Sequence, residues 1–192
     1  MEVSQISVKN MEAKKDIRKR VLELRNAMTE MDWEEKSYQI YKNLTSHPFF
    51  LESKEIYVYI DFRKEVGTRE IIESAWRDGK RVAVPKIEGK KMNFYYIQSW
   101  KDVEKGHWGI EEPQTNMLAE ADEPCMIMPG SVFDWNRNRI GYGGGFYDTY
   151  LESHSKCRTI ALAFEFQVLK EIPTEEYDIK PQCIITEEKI YV

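Results

Sequence analysis

Residues 139–148, Arg-Ile-Gly-Tyr-Gly-Gly-Gly-Phe-Tyr-Asp, combine residue types that bind phosphate. Four of the chain's ten glycines lie here, so successive backbone N–H groups can turn toward one anion without side chains in the way. Arg139 adds a fixed positive charge, and Asp148 adds a carboxylate that could reach a metal ion on that phosphate. The segment is therefore a candidate phosphate site.

The sequence on either side supports this interpretation. Residues 125–129 are apolar and predict a buried strand, and residues 146–151 begin a predicted helix. A strand, a glycine turn and a helix N-terminus together commonly hold phosphate. The P-loop pattern is excluded because no Lys-Ser or Lys-Thr follows the glycines, and the dinucleotide pattern is excluded because Phe146 takes its last glycine position. A tight turn whose glycines serve packing alone is the alternative.

A second cationic feature is predicted near the amino terminus. Residues 12–28 have apolar positions three and four apart and predict a helix whose other side is basic. Most of these charges, Arg25 among them, are expected to form a solvated face. Lys14 and Arg18 are four residues apart, so both project from one face near the helix start and could bind a polyphosphate.

The composition limits the class of protein. With 192 residues, we expect residues 1–10 to form a loose tail and residues 11–192 to form one domain. A net charge of −5 argues against a nucleic-acid partner. No segment approaches the ~20 apolar residues of a membrane span. Three cysteines without a C-x-x-C pair suit a cytoplasmic protein, and the absence of a long apolar face favours a monomer.

The order of predicted elements indicates an α/β fold. A strand at residues 56–60, a helix capped by Thr68 and a strand at residues 81–85 form a β–α–β unit, which implies parallel strands. We expect a single domain with a mostly parallel central sheet and helices on both faces. Ligands bind such sheets at the carboxyl ends of the strands. Further strands are predicted at residues 92–97, 159–164 and 184–186, the last of the chain.

Charged segments fall where the strands of this sheet are predicted to end. They are residues 61–68, the glycine turn at residues 139–148, and residues 177–181, which contain Asp178. An irregular stretch at residues 106–113 is also a candidate, because long loops in compact domains often carry function. Its Trp108 is expected either to stack on a ligand or to close the edge of the core.

The glycine motif, preceded by Pro129 and Phe133-Asp134, resembles the signature of the 5-formyltetrahydrofolate cyclo-ligase family. Other landmarks of that family follow in the expected order along almost the whole chain. The resemblance implies a Rossmann-like three-layer fold similar to that of sugar-phosphate isomerases and CoA transferases. The landmarks are Lys14-x-x-Ile17-Arg18, Glu65-Val66-x-Thr68, Val84-Pro85, Trp108-Gly109-Ile110 with Glu112-Pro113, and Asp178.

The resemblance implies an ATP-dependent ligase that converts 5-formyltetrahydrofolate into 5,10-methenyltetrahydrofolate and releases ADP and phosphate. The formyl oxygen is a poor leaving group, so it would first receive the γ-phosphoryl group of ATP. The neighbouring nitrogen would then close the ring as phosphate leaves. The implied partners are ATP and a reduced folate, with Mg²⁺ as the cofactor.

The resemblance also implies roles for individual residues. Arg139 and Tyr147 are the implied catalytic residues, and Asp148 and Asp178 are the implied Mg²⁺ ligands. The implied folate-binding residues are Ile60, Glu65, Trp108, Tyr142, Gly143, Gly144, Gly145 and Phe146. The implied ATP-binding residues are Lys14, Lys15, Asp16, Ile17, Arg18, Arg139, Ile140, Gly141, Tyr142, Gly143, Gly144, Gly145, Phe146 and Tyr147.

The chain departs from the family pattern at three positions. Gly144 stands where some relatives carry a basic residue, so a cation is not assumed there. Phe146 stands where tyrosine is common, which puts a hydroxyl function at that position in doubt. Gly67 replaces a residue that is often larger.

Two other functions remain open at this point. The first is a sugar-phosphate isomerase or CoA transferase, because one fold can carry several chemistries. The pairs Lys14 with Arg18 and Asp148 with Asp178 favour ATP with Mg²⁺ over a simple sugar phosphate. The second is a folate- or nucleotide-binding protein without catalysis. Binding without phosphate release would support that alternative.

Overall fold

A computed structural model describes residues 2–106, 109–175 and 178–192, with side chains from residue 12 onward. These ranges contain five α-helices and twelve strands. The helices are α1 (Glu2–Ala27), α2 (Glu30–Thr45), α3 (Pro48–Glu52), α4 (Arg69–Arg77) and α5 (Phe146–Ser153). The strands are β1 (Glu55–Val58), β2 (Arg81–Glu88), β3 (Lys91–Ile97), β4 (Val103–Lys105), β5 (Glu111–Pro113), β6 (Cys125–Met128), β7 (Val132–Asp134), β8 (Arg139–Ile140), β9 (Arg158–Leu162), β10 (Val168–Leu169), β11 (Cys183–Ile185) and β12 (Ile190–Tyr191).

The central sheet has seven strands in the order β12-β11-β9-β6-β1-β2-β3. Its five inner strands run parallel, whereas β3 and β12 pair antiparallel at the two edges. Since α4 joins the parallel strands β1 and β2, the predicted β–α–β unit is confirmed. The prediction that residues 184–186 form the last strand is wrong, because β12 follows them. β12 has only two residues, too few to give a periodic signal in the sequence.

Alternate residues of the inner strands pack against different helices. Ile56 and Val58 of β1 belong to a core cluster with α2, α3 and α4. Tyr57, which lies between them, belongs to a second cluster with Tyr150 and Leu151 of α5. Successive side chains of a strand point to opposite faces of its sheet. Helices therefore cover both faces, and the predicted α/β fold class is confirmed.

A separate three-stranded sheet, in the order β10-β7-β8, carries the glycine turn. The prediction that this turn directly follows a core strand is wrong, because the hairpin of β7 and β8 lies between β6 and the turn. These strands have only three and two residues, so the sequence gives no periodic signal for them. α1 packs on the hairpin through Val21, which shares a buried cluster with Val132 and Ile140. This packing brings α1 to the glycine turn.

α1 begins at Glu2, so residues 2–10 are helical and do not form the predicted loose tail. The polar composition of this segment indicates that it has little apolar surface to bury, which is why a tail was predicted. Adding residues to an existing helix nevertheless costs far less free energy than starting a new one. Although α1 is 26 residues long, neither it nor any other described helix is apolar enough to cross a membrane.

Candidate active site

A cavity of about 580 Å³ lies at the carboxyl ends of the central strands, where ligands bind in sheets of this class. Ile60, Pro85 and Pro129, which come from the β1, β2 and β6 regions, form part of its lining. The rest comes mainly from α1, the loop at residues 61–68 and the glycine turn. Two of the three charged segments predicted for this edge therefore line one cavity.

The glycine turn needs its glycines for two different reasons. Gly143 and Gly145 have φ values of +100° and +65°, in the left-handed region that side chains disfavour. An added Cβ at Gly144 would lie 2.5 Å from the ring of Phe146, so a side chain there would force this ring to move. Gly145 is also the N-cap residue of α5. The N–H groups of the first helical turn lack intrahelical partners, so the turn presents donors for an anion beside the cavity.

Arg139 is a buried cation whose direction is fixed by Asp148. Its Nη2 donates to Asp148 Oδ1 at 2.8 Å, and the two side chains are 6% and 23% exposed. The backbone N–H of Ile179 donates to the same carboxylate oxygen at 3.1 Å. Both Arg139 and Asp148 line the cavity. The pair therefore presents an oriented guanidinium group to a ligand.

Lys14 and Arg18 of α1 reach the same region, as their spacing predicts. Arg18 Nε donates to the carbonyl oxygen of Gly141 at 2.9 Å. Lys14 Nζ lies 2.8 Å from Asp178 Oδ2, and this carboxylate oxygen also accepts from the backbone N–H of Glu175 at 2.8 Å. Both contacts tie α1 to elements that are distant in sequence, so these two cations are not simply part of a solvated face.

The loop at residues 61–68 is closed at its base by Asp61 and Thr68. Thr68 donates its N–H and its hydroxyl to Asp61 Oδ1 at 2.8 and 2.9 Å, so this threonine holds the loop and makes no side-chain capping bond to α4. Arg63 and Lys64 at its tip have φ values of +49° and +56°. Such values are unusual outside glycine and are typical of functional segments. The loop holds Glu65 at the cavity.

Glu65 is bound from two directions. The backbone N–H of Phe62 donates to its Oε2 at 2.9 Å, and the Tyr142 hydroxyl donates to its Oε1. Arg25 Nη1 donates to that hydroxyl at 2.7 Å. Burial raises the pKa of the Glu65 carboxyl, and the Tyr142 hydrogen bond and the Arg25 charge oppose this rise only in part. A half-buried acid with a raised pKa at a cavity wall is a candidate for binding polar ligand atoms.

Arg25 is one of the cavity residues that the sequence analysis missed. Its assignment to a solvated face is wrong, because the residue is only 3% exposed and lines the cavity. It lies seven residues beyond Arg18, and seven residues are close to two helical turns, so both project from one face of α1. That spacing is the signal that could have identified Arg25.

Tyr147 places a buried hydroxyl at the cavity. This hydroxyl has no hydrogen-bond partner among the residues that the structure describes. Burial raises the pKa of Tyr147, the nearby Glu65 raises it further, and Arg139 opposes the rise. The phenol therefore stays protonated at neutral pH and can donate a hydrogen bond to a ligand.

The remaining predicted residues divide into three groups. Ile60, Gly141, Gly144 and Phe146 line the cavity with the residues above. Lys15 and Asp16 are exposed, whereas Ile17 and Ile140 pack in the cluster of α1 with the small sheet. Trp108, predicted to contact folate, lies outside the described residues.

The predicted Mg²⁺ ligands lie close to each other, since Asp148 accepts a hydrogen bond from the residue after Asp178. Within the described ranges, no group of three or more His, Cys, Asp or Glu side chains could hold a metal ion. Any metal here would thus need other oxygen ligands besides these two carboxylates. The phosphate oxygens of a nucleotide and water commonly provide them for Mg²⁺.

Comparison with known proteins supplies the family. The model of the 5-formyltetrahydrofolate cyclo-ligase family matches residues 10–187. The 5-formyltetrahydrofolate cyclo-ligase of Escherichia coli K12 is 28% identical over 177 residues, covering 87% of this chain and 96% of that protein. The Mus musculus protein of the same name is 27% identical over 191 residues, covering 92% and 94%. The NMR structure of 5,10-methenyltetrahydrofolate synthetase from Aquifex aeolicus matches with a TM-score of 0.82 at 28% identity, covering 92% of this chain and 91% of that chain.

The fold and the cavity define an α/β protein with a cationic glycine turn beside an apolar pocket. The chain belongs to the 5-formyltetrahydrofolate cyclo-ligase family, because the model of that family matches nearly the full length of the chain. Membership confirms the resemblance carried by the glycine motif and the predicted ligase class. It also favours a ligase over the isomerase, transferase and non-enzyme alternatives.

Proposed function

We propose that the protein uses ATP to convert 5-formyltetrahydrofolate into 5,10-methenyltetrahydrofolate, with release of ADP and phosphate. The observation that carries this proposal is that one cavity has two unlike walls. One wall presents Arg139 beside a glycine turn, which suits a polyphosphate. The other presents Ile60 and the acid Glu65, whose pKa is raised by burial, and this combination suits a flat heterocycle with a few polar atoms.

The proposed reaction first makes the formyl oxygen a leaving group. That oxygen attacks the γ-phosphorus of ATP, ADP leaves, and the formyl carbon becomes an electrophilic imidate phosphate. The N10 nitrogen then attacks this carbon, the carbon–oxygen bond breaks, and phosphate departs with the former formyl oxygen. N10 loses its proton to solvent or a base. Catalysis of such a transfer depends mainly on positioning and on neutralising the charge of the phosphoryl oxygens.

On the nucleotide side, Arg139 is the proposed catalytic cation. Its guanidinium group is already oriented by Asp148, so little reorganisation is needed when charge develops on the phosphoryl group. Lys14 and Arg18 provide further positive charge from α1. The N–H groups at the start of α5 supply additional donors.

On the folate side, Glu65 is proposed to hydrogen-bond the pteridine ring. Its carboxyl can accept from ring N–H and amino groups, while Ile60 and Phe146 contact the apolar faces of the ring. The buried hydroxyl of Tyr147 is the proposed donor to an oxygen of the reacting group. Tyr147 therefore assists the reaction by orienting that oxygen.

Mg²⁺ is part of the proposal, with Asp148 and Asp178 as its protein ligands. Each carboxylate has one oxygen that accepts no hydrogen bond from the described residues, Asp148 Oδ2 and Asp178 Oδ1. When bound, the ion would neutralise charge on the phosphate oxygens. Arg139 and Lys14 hold the two carboxylates in position before the nucleotide arrives.

The proposed partners are therefore ATP and a reduced folate. A monomeric state and a cytoplasmic location stay predictions from the sequence composition. Size-exclusion chromatography with light scattering checks the first, and a fluorescent fusion in the native cell checks the second.

Absorbance spectroscopy tests the proposed reaction. Purified protein, 5-formyltetrahydrofolate and Mg²⁺ are mixed with and without ATP, and the 5,10-methenyltetrahydrofolate band is followed. We expect the band to grow only with ATP, with one ADP released per product. Tight folate binding by calorimetry without band growth would instead favour the binding-protein alternative.

A further inference from the structure

Arg25 and Glu65 are opposite charges at the cavity that form no direct ion pair. The Tyr142 hydroxyl lies between them, where it accepts from Arg25 Nη1 at 2.7 Å and donates to Glu65 Oε1. Two hydrogen bonds in series place Nη1 and Oε1 about 5 Å apart. None of the ion pairs among the described residues includes Arg25, and its Nε has no hydrogen-bond partner there. The guanidinium group therefore keeps unused hydrogen-bonding capacity beside the acid.

The two charged groups belong to one patch of the cavity wall. Arg25 is 3% exposed, Glu65 is half-buried, and both line the cavity together with Ile60. Buried donors without partners are rare in folded proteins and call for a specific explanation. At the wall of a cavity, that explanation is a ligand that contacts the cation and the carboxylate together.

The hydroxyl between the two charges indicates which ligand atoms fit there. It presents an acceptor to the cation and a donor to the carboxylate, and both come from one small group. A ligand that takes its place must therefore present an acceptor and a donor side by side. A cyclic amide has this pattern, because its C=O accepts and the neighbouring N–H donates.

The pteridine ring of a folate carries such an amide along one edge. This edge presents the C4 oxygen, the N3 hydrogen and the 2-amino group in order, which is one acceptor followed by two donors. A guanidinium group can donate to the first, and the two oxygens of one carboxylate can accept from the other two. Adenine, the other heterocycle of the proposed reaction, presents an acceptor at N1 and only one amino group beside it. The edge of the pteridine ring is therefore the better match.

We propose that Arg25 donates a hydrogen bond to the C4 oxygen of the folate while Glu65 accepts from N3 and the 2-amino group. This inference rests on the proposed function and deepens it, because it makes Arg25 a specificity residue for the 4-oxo form of the ring. The Tyr142 hydroxyl occupies the place of the amide while the folate is absent. Tyr142 lies between Gly141 and Gly143, which permit the backbone rotation that moves it aside.

The experiment compares 5-formyltetrahydrofolate with its 4-amino-4-deoxy analogue. The analogue has a donor in place of the C4 acceptor and no hydrogen on N3, whereas its formyl group and N10 are unchanged. Calorimetry gives Kd for both compounds and for ATP in the unsubstituted enzyme, Arg25→Gln, Arg25→Lys, Tyr142→Phe and Arg20→Gln. Arg20 is an exposed arginine of the same helix and is the matched control.

The preference for the 4-oxo compound is the expected signature of Arg25. We expect the unsubstituted enzyme to bind this compound about 10- to 100-fold more tightly than the analogue, the usual effect of a hydrogen bond to a charged group. Arg25→Gln should weaken binding of the 4-oxo compound about 10-fold and bring the two Kd values together, because an amide can also accept from the 4-amino group. Kd for ATP should change little.

The other variants separate the parts of the proposal. Arg25→Lys should keep part of the preference, because an ammonium group still donates but lacks the fixed direction of a guanidinium group. Tyr142→Phe should keep the preference, since the substrate itself takes the place of the hydroxyl. Arg20→Gln should leave all three Kd values unchanged. The two folate Kd values come from one sample of each variant, so their ratio does not depend on the fraction that folds.

A second pH separates direct contact from an effect of Arg25 through Glu65. Burial raises the pKa of Glu65 and the Arg25 charge opposes this rise, so Arg25→Gln also favours the protonated acid. A protonated acid can donate to N3 of the analogue, and this alone would lower the preference. Titrations are therefore made at pH 7 and at about pH 8.5, and direct contact predicts a lost preference at both.

Four outcomes would overturn the inference. An unchanged ratio of the two folate Kd values in Arg25→Gln would mean that Arg25 does not contact the C4 position. A preference lost only at pH 7 would mean that Arg25 acts through the charge of Glu65. Weaker binding of ATP alone would assign the two groups to adenine, and a lost preference in Tyr142→Phe would make the hydroxyl the recognising group. An unsubstituted enzyme that binds the folate but forms no methenyl product would instead reject the proposed function.

Discussion

The two sides of the cavity hold their charges in different ways. On the side of the glycine turn, Arg139 is ion-paired with Asp148 and Lys14 with Asp178. On the side of the 61–68 loop, Glu65 forms no ion pair with the described residues and receives a hydrogen bond from Tyr142 instead. Burial raises the pKa of Glu65, whereas Arg139 and Lys14 on the other side are each paired with a carboxylate.

The difference matches the ligands that each side is proposed to bind. A triphosphate is highly charged, and cations that are oriented in advance can neutralise it without losing energy to reorganisation. A pteridine ring is flat and nearly neutral, so a mainly apolar wall with the acid Glu65 can select it by hydrogen bonding. The variants below test whether the two sides act separately on the two substrates.

Arg139→Ala should have the largest effect. It removes the oriented cation of the nucleotide side and leaves Asp148 without its partner. We expect kcat/KM for ATP to fall about 100- to 1,000-fold, the usual loss for one preorganised donor to a charged transition state. Steady-state kinetics with ATP varied give this value. Unchanged dependence on ATP would remove Arg139 from the nucleotide side.

Glu65→Gln should act on the other side alone. The amide keeps one acceptor oxygen but replaces the other with an NH2 donor, so we expect KM for the folate to rise about 10-fold or more. KM for ATP should be unchanged, and measuring both constants in one preparation provides the control. If KM for ATP rises as much as KM for the folate, the two sides do not act separately.

Asp148→Asn should weaken the use of Mg²⁺-ATP and leave folate binding largely intact. The amide keeps the shape of the side chain but is a poorer ligand for a hard cation and a weaker partner for Arg139. Titrating Mg²⁺ at fixed ATP should therefore show a higher requirement for the ion. A parallel Mg²⁺ dependence in variant and parent would argue against a metal role for Asp148.

Gly145→Ala and Gly89→Ala form a matched pair for the glycine turn. Both residues have a φ of +65° and open space around an added Cβ, but Gly89 lies in the turn between β2 and β3. Each alanine should cost about 1 kcal/mol and lower the melting temperature by about 2–4 °C. Only Gly145→Ala should also reduce activity, because Gly145 caps α5 at the cavity. Equal activities of the two variants would mean that the turn does not bind substrate.

The smallest effect concerns stability and pH. Because the folded-state pKa of Glu65 is raised above 4.5, this carboxyl stabilises the protein below pH 4.5, and the contribution is lost as pH rises through the raised pKa. Glu65→Gln removes this dependence. The melting temperature of the variant relative to the parent should therefore increase from pH 4.5 toward pH 7. A difference that stays constant would show that burial does not disfavour the charged form.

The sequence predicted those parts of the site that depend on local spacing. The glycine turn is a continuous motif, and Lys14 with Arg18 follow from helical geometry alone. The same geometry puts Arg25 on the helix face of Arg18, but its burial could not be predicted, because burial depends on how α1 packs on a hairpin of very short strands. The bond between Asp61 and Thr68 was likewise missed, since it joins two ends of a loop that have no periodic pattern.

The central claim is that one cavity brings the γ-phosphoryl group of ATP to the formyl oxygen of the folate, and oxygen labelling tests it most directly. The enzyme is supplied with ATP and with 5-formyltetrahydrofolate that carries ¹⁸O in its formyl group, and the released phosphate is analysed by mass spectrometry. Transfer to the formyl oxygen predicts one ¹⁸O atom in each phosphate molecule, because that oxygen leaves with phosphorus. Unlabelled phosphate, formed along with methenyl product, would contradict phosphorylation of the formyl oxygen.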